Sequence, residues 1–416
     1  MILLQRIQHL GQEVDILVDG GRIARISPEP LAVPAGAETA DCRGKAVLPG
    51  FVNMHTHAAM ILLRGIHEDL ALYDWLNKIW KIEDRIDGDF IYWASKAACL
   101  EMIRSGTTTF NDQYWHCPRT REAAVEMGIR PAVSFIFLDG GNPAMAQKQR
   151  KDCEALYAQT LGWGEESQFV ISIHSVYTVC EENILWARDF AREHGLRIHL
   201  HVAETALEDS DCRKAHGGLS PVEYFESLGV WGEDVIAAHA LHLSDHDVEI
   251  LGSHRVNCVH NINSNLKLSS GYRFRYNELR DAGANVCLGT DGASSSNNLD
   301  LLEHMKNSAL LQKAWRGHPE EFPLPELLAC ASEHGAKALG LDTGSVREGA
   351  LADVNIIDLD NVAFLSPGPV LANLVYAAHS EVITDVICQG RWVMRNRRIP
   401  GEEEILREAR RVLKQI

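Results

Sequence analysis

The stretch Ala46-Val47-Leu48-Pro49-Gly50-Phe51-Val52-Asn53-Met54-His55-Thr56-His57 is where the chain changes character. An apolar run breaks at Pro49-Gly50, and a second short strand ends at Val52 or Asn53 with two histidines just beyond it. On extended backbone, residues two apart project to the same side, so His55 and His57 can reach one metal ion together. Imidazole suits zinc, iron and similar divalent ions. Alone, an H-x-H pair is weak evidence. What strengthens it is the organisation of the chain that follows.

From Phe51 to about residue 340, short apolar strands alternate with helical stretches. Predicted strands are Thr107 to Phe110, Arg130 to Phe137, Phe169 to His174, Arg197 to Val202, Val235 to His239, Arg255 to Val259 and Asn285 to Leu288. Between them lie helical segments such as Asp89 to Ser105, Glu181 to His194 and Pro221 to Leu228. Regular strand–helix alternation argues for a parallel sheet. About eight such units favour an α/β fold of the distorted (β/α)₈ TIM-barrel type over residues 51–343. In such barrels the active site lies at the C-terminal ends of the strands, which is where His55 and His57 fall.

The flanks read differently. Val14 to Val18, a turn at Asp19-Gly20-Gly21, and Arg22 to Ile26 form a predicted hairpin. Strands return after Thr343, at Ala352 to Asp358, Val382 to Cys388 and Arg391 to Met394, and Glu402 to Ile416 reads as an amphipathic helix. Neither end has a core of its own. Residues 1–50 and 344–416 are therefore expected to pair into one small β-sandwich domain beside the barrel.

Three further strand ends carry candidate chemistry. His199-Leu200-His201-Val202-Ala203-Glu204 offers His201 as a third ligand and Glu204 as an acid or base. His199 shares the parity of His201 but lies deeper, and reads as a packed barrel histidine. His239 ends the next strand, as a ligand or a partner for bound water. Asp291, after Cys287-Leu288-Gly289-Thr290, can bind metal and accept a proton; on its own it reads equally as an Asp-Gly turn residue. Four strand ends that each present a ligand or base make coincidence a poor explanation.

Composition narrows the partners. The chain has 416 residues, 46% hydrophobic and 23% charged, with a formal net charge of -17. Such acidity disfavours nucleic acid and anionic membranes but not an uncharged nucleoside or base. No apolar run approaches the roughly 20 residues that span a bilayer. The ten cysteines are scattered without a C-x-x-C pair, and the first ten residues lack a signal-peptide pattern. A reducing, cytoplasmic location is the expectation.

These segments together resemble the amidohydrolase superfamily, in its branch of metal-dependent deaminases and chlorohydrolases. The matching stretches are Pro49 to His57, His201-Val202-Ala203-Glu204-Thr205, the His239 strand, Val259-His260-Asn261 with Ser264 to Leu268, Gly289-Thr290-Asp291-Gly292, and Gly349 to Val354. Within that branch, Leu63-Arg64-Gly65, Leu72-Tyr73-Asp74-Trp75-Leu76 and Ile82-Glu83-Asp84-Arg85 most resemble the 5-methylthioadenosine/S-adenosylhomocysteine deaminases.

The resemblance implies metal ligands at His55, His57, His201 and Asp291, and catalytic roles for Glu204, His239 and Asp291. It implies a substrate pocket with Trp75 as a wall, Glu83 on the ribose hydroxyls, and His174 and Glu204 facing the substrate. One divalent ion, zinc or iron, is expected, because the strand Phe169 to His174 lacks the lysine of binuclear relatives. The implied reaction is hydrolytic deamination of an adenosine-type nucleoside (5′-methylthioadenosine, S-adenosylhomocysteine, 5′-deoxyadenosine or adenosine) to the inosine analogue and ammonia.

Relatives that accept S-adenosylhomocysteine carry arginines near its carboxylate, whereas Ser134 to Gly141 here has none and Arg150 does not align securely. Weight therefore moves toward tails without an amino acid. The alternatives are a deaminase or chlorohydrolase of another amino-heterocycle (guanine, pterin or triazine) and a non-catalytic binding protein. The resemblance also allows a homo-oligomer.

Overall fold

In the computed structural model, which describes residues 1–416, the alternating segments form one parallel eight-stranded sheet. Its strands are β1 (Phe51–Thr56), β2 (Thr107–Asp112), β3 (Arg130–Phe137), β4 (Gln168–Ile173), β5 (Arg197–Val202), β6 (Val235–His239), β7 (Asn257–His260) and β8 (Asn285–Leu288). They lie side by side in sequence order. Almost every strand residue is buried, as expected where helices cover one face and the barrel interior the other.

The seam between β8 and β1 is closed by few backbone contacts. A single parallel bridge joins Thr56 and Asp291, and the Thr290 and Asp291 amides donate to His55 O at 3.2 and 2.9 Å. Lower down, Asn53 stitches the seam: its Nδ2 donates to Thr290 Oγ1 at 2.7 Å, and its Oδ1 accepts from the Thr290 amide at 3.0 Å. This is the distortion of the barrel, and it sets Asp291 beside His55.

Observed boundaries follow the predicted ones closely. The largest departure is β1, expected to end at Val52 or Asn53 but carried on to Thr56 by its pairing with β2, so that His55 lies within the strand; β7 begins at Asn257 and not at Arg255. Arg255 adopts φ +53° and its amide donates to Gly252 O, so it completes the turn that ends the preceding helix. The first βα connection is unusually long. It holds a 3₁₀ turn (Ala58–Leu63) and an extra helix, Leu72–Glu83, which buries Leu72, Trp75, Leu76, Ile79 and Ile82. The barrel helix Gly88–Arg104 begins only after it, capped by Asp87, whose carboxylate accepts from the Phe90 amide at 2.9 Å.

The chain ends build a second sheet, in the order Arg391–Met394, Ile383–Cys388, Val354–Asp358, Lys45–Pro49, Ile2–His9, Gln12–Asp19 and Arg22–Ser27, with Glu38–Asp41 pairing parallel to Ile2–His9. Its apolar residues, among them Leu4, Ile7, Ile16, Val47, Val354 and Ile356, form a core separate from the barrel's. A buried ion pair ties sheet to barrel: Arg130 Nη1 donates to Asp353 Oδ2 at 2.7 Å. Asp353 also accepts from Thr343 Oγ1 and the Gln389 amide, so its lone pairs are well used.

Candidate metal centre and active site

Three of the strand ends share a local feature. Ala203, His239 and Asp291 all adopt positive φ (+50°, +77° and +60°), a region that non-glycine residues rarely occupy. Each sits where a strand must turn sharply so that a side chain points across the barrel mouth. Strain of this kind persists only where surrounding contacts hold it. At Gly289 the packing is closer still, since a Cβ there would lie 2.4 Å from Asn261 Oδ1 and 2.9 Å from His55 Cβ.

The turns bring His55, His57, His201, His239 and Asp291 together. Ligand atoms of His55, His57 and Asp291 lie within 4.8 Å of one another, as do those of His55, His201 and His239. His57 Nε2 is 3.1 Å and His55 Nε2 is 3.4 Å from Asp291 Oδ1. The outward nitrogens are already committed. His57 Nδ1 donates to Gln113 O at 2.6 Å, and His201 Nδ1 donates to His174 O at 2.7 Å. A carbonyl only accepts, so both rings carry a proton on Nδ1 and turn Nε2 inward; burial keeps His201 neutral, whereas, against burial, Asp291 raises His57 to about 9, so His57 has to shed its Nε2 proton before it can bind a metal.

His55 Nδ1 pairs with His199 Nε2 at 2.9 Å, which gives the deeper histidine a place behind the cluster, while the buried His55 Nε2 makes no hydrogen bond and faces Asp291. Inward-facing imidazole nitrogens beside a buried carboxylate could hold a divalent transition metal. Asp291 is braced at both oxygens: Oδ2 accepts from Ser264 Oγ at 2.5 Å and Oδ1 from the Gly292 amide at 2.8 Å.

Glu204 faces this cluster from β5. Its Oε2 lies 3.7 Å from His239 Nε2, and its Oε1 accepts from Ser270 Oγ at 3.1 Å. Burial, reinforced by the nearby Asp291 charge, pushes its carboxyl up to about 8, so it holds a proton near neutrality. Its aim is set by Glu208, whose Oε1 accepts from the Ala203 amide at 2.9 Å and Oε2 from the Glu204 amide at 2.8 Å. That clamp spans the strained Ala203 turn. Asn265 Nδ2 lies 2.8 Å from His239 Nδ1 and holds that ring in place.

The same pocket contains the other expected residues. Trp75, Glu83 and His174 line it with His57, His201 and Glu204. The extra helix Leu72–Glu83 delivers Trp75 and Glu83, and forms the pocket's roof. Tyr114 Oη donates to Glu83 Oε1 at 2.6 Å, and Trp115 Nε1 to Oε2 at 3.4 Å; burial raises the Glu83 carboxyl. His174 Nδ1 lies 2.9 Å from Thr178 Oγ1, and burial lowers the imidazole to about 3, so it is neutral.

Of the sequence-nominated residues, His57, Trp75, Glu83, His174, His201, Glu204, His239 and Asp291 line one pocket, and His55, fully buried, adjoins them beside Asp291. Sequence reasoning missed the supports: Glu208, Ser264, Asn265, Ser270, Gln113 and Tyr114. Ser264 and Asn265 lay in a quoted motif and Glu208 four residues past Glu204, but no spacing rule tells which backbone amide a glutamate will bind.

The amidohydrolase family model matches residues 46–393. A 5′-deoxyadenosine deaminase of Methanoregula boonei is 41% identical, over 89% of this chain and 84% of its own length. A 5-methylthioadenosine/S-adenosylhomocysteine deaminase of Archaeoglobus fulgidus is 38% identical, over 97% and 95%. Among solved structures, an adenosine deaminase from Xanthomonas campestris with bound zinc superposes with a TM-score of 0.92 at 28% identity, covering 100% of this chain and 98% of that one.

Proposed function

The chain belongs to the amidohydrolase family, and from that premise we propose that it is a metal-dependent hydrolytic deaminase of adenosine-type nucleosides. The observation that carries this reading is the composition of one pocket. Glu204, proton-bearing near neutrality, lines it together with His57, His201, His239 and Asp291, which with the buried His55 form two overlapping three-residue groups able to hold a metal, and Glu83 offers a carboxylate suited to a ribose diol.

On this reading His55, His57, His201 and Asp291 hold one divalent ion, zinc by its donor set and by the zinc-bearing relative, although iron suits the same donors. Such an ion, when bound, makes a water molecule acidic enough to react near neutral pH. Asp291 takes the proton from the attacking water. His239, between Glu204 and the cluster, orients that water toward the ring. Glu204 donates its proton to the ring nitrogen next to the amino-bearing carbon, which makes that carbon electrophilic. After water adds, proton transfer through Asp291 and Glu204 converts the amino group to ammonia, the leaving group. Glu83 accepts from the ribose hydroxyls, Trp75 packs on the nucleoside, and His174 faces the base.

The test is ammonia release from adenosine, 5′-deoxyadenosine, 5′-methylthioadenosine, S-adenosylhomocysteine, guanine and cytosine by zinc-loaded protein, beside Glu204→Gln. Turnover of nucleosides, abolished in the variant, is the expected outcome. Turnover of free bases alone would move the assignment to another amino-heterocycle and remove the ribose role of Glu83.

A further inference from the structure

The end of the barrel away from the metal ligands gathers positive charge. β5, β7 and β8 begin there, at Arg197, Asn257 and Asn285, and run from it toward His201, His260 and the turn that holds Asp291. At a rise of about 3.3 Å per residue, Arg197 and His201 lie about 13 Å apart along β5. Between the strand starts is a cavity of about 400 Å³. Arg197, Arg255, Arg280 and Lys337 line it, against a single carboxylate, Glu233. Over the whole chain the balance is the reverse, with 40 lysines and arginines to 57 acidic residues. Four cations around one concave space give a local potential opposite in sign to that of the chain as a whole.

These cations are open to a ligand. The side chains of Arg197 and Lys337 make neither an ion pair nor a hydrogen bond. Arg255 Nη1 donates to Glu233 Oε1 at 2.6 Å, and Arg280 Nη2 lies 2.8 Å from Asp281 Oδ1. Both pairs are exposed, so neither holds its guanidinium strongly. The polar groups of the floor are spent on one another. Asn285 Nδ2 donates to Asn257 Oδ1 at 2.8 Å and to His334 O at 3.0 Å. Asn257 Nδ2 donates to Val235 O at 2.9 Å and to Glu233 O at 3.0 Å. What remains for a ligand is chiefly guanidinium and ammonium donors, the groups that bind phosphate oxygens. The cavity has the size and concavity of a small-molecule site. The formal net charge of -17 repels an extended polyanion such as nucleic acid.

We infer that this cavity binds a small, multiply charged phosphate anion, held by Arg197 and Lys337 with help from Arg255 and Arg280. Such a site is independent of what the catalytic pocket accepts.

Calorimetric titration of the zinc-loaded protein with inorganic pyrophosphate, and separately with orthophosphate, tests this at matched ionic strength, with zinc content measured before and after. One pyrophosphate per chain is expected, with a dissociation constant of about 1 mM or tighter. Orthophosphate should bind at least about tenfold more weakly, because it reaches fewer of the cations. Lys337→Gln and Arg197→Gln should each weaken pyrophosphate at least about tenfold, the loss of one charge-assisted hydrogen bond. Lys337 is exposed, so its variant reports on the site even where Arg197→Gln fails to fold. Lys151→Gln, at an exposed position on the helix Pro143–Thr160, removes the same charge elsewhere and should leave the affinity within about twofold. Absence of binding at about 1 mM would overturn the site. So would binding that persists in Lys337→Gln, which places the anion elsewhere, the metal centre included. An equal loss in Lys151→Gln would reduce the effect to net charge, and equal affinity for the two anions would remove the requirement for multiple charge; either result contradicts the inference.

Discussion

At the residue scale the site depends on protons held where water would not leave them. Glu204 carries its proton because burial and Asp291 disfavour the carboxylate, while the Ser270 hydroxyl opposes them by stabilising it. If protonated Glu204 is the reactive form, kcat/KM is high below about pH 8 and falls about tenfold per unit above it. Ser270→Ala removes the bond that favours the carboxylate, so the alkaline limb should move to higher pH. A pH–rate profile of both proteins checks this, and a limb that stays put or moves down contradicts the acid role.

Glu208 acts one step away from the chemistry. Both its oxygens are spent on the amides of Ala203 and Glu204, across a turn held at φ +50°. Glu208→Gln keeps the size but replaces one acceptor with a donor facing an N–H. The expected outcome is a fall in kcat of at least about tenfold, with metal content unchanged, because a misplaced acid loses orientation and not binding. Metal analysis beside steady-state kinetics separates this from loss of the metal. Folding linkage has a definite sign as well. Burial raises the Glu208 carboxyl to about 7, so its contribution to stability is present below its unfolded value and is lost as pH rises through about 7.

At the scale of elements, the β1–β8 seam and the extra helix Leu72–Glu83 make the pocket. The seam has one backbone bridge, so Gly289 lets β8 approach His55 and Asn261 where any side chain would collide. Gly289→Val should displace Asp291 relative to His55 and lower metal content as well as activity, measured by metal analysis of purified protein. Normal metal stoichiometry in that variant would show that the seam tolerates separation.

That helix explains why Trp75 and Glu83 were legible only through resemblance. Its apolar stripe of Leu72, Trp75, Leu76, Ile79 and Ile82 is readable, but a stripe says that a face is covered, not by what. Glu83 ends the helix inside the pocket because Tyr114 and Trp115, from the β2 loop, receive its carboxylate.

At the scale of the whole molecule, Arg130 and Asp353, buried and mutually satisfied, are one of the ties between the second sheet and the barrel. Removing one partner strands the other as an unpaired buried charge. Asp353→Ala should cost about 3–5 kcal/mol of stability in denaturant titrations, well above the cost of an exposed pair such as Arg43–Asp41. Metal binding links to stability at the same scale. If the four ligands hold an ion only in the folded state, chelation should lower the melting temperature, and re-addition of zinc should restore it.

What the sequence by itself determined was whatever is written in local order. Strand–helix alternation specified the barrel because period-2 and period-3.6 patterns are properties of neighbouring residues. Strand parity and position put His55, His57, His201, His239 and Asp291 at strand ends. Most boundaries lay within one or two residues; β1 ran on to Thr56, and Arg255 fell outside β7 because its left-handed turn leaves no apolar trace.

Tertiary structure alone decided what depends on residues far apart in the chain. It set the tautomers of His57 and His201 through the carbonyls of Gln113 and His174, the proton on Glu204 through burial, and the clamp of Glu208 on a strained turn. It also gave Arg150 its partners, Asn183 and Glu182. Proton affinity and hydrogen-bond partnership are functions of distance and dielectric in three dimensions, and neither is carried by the spacing of residues along the chain.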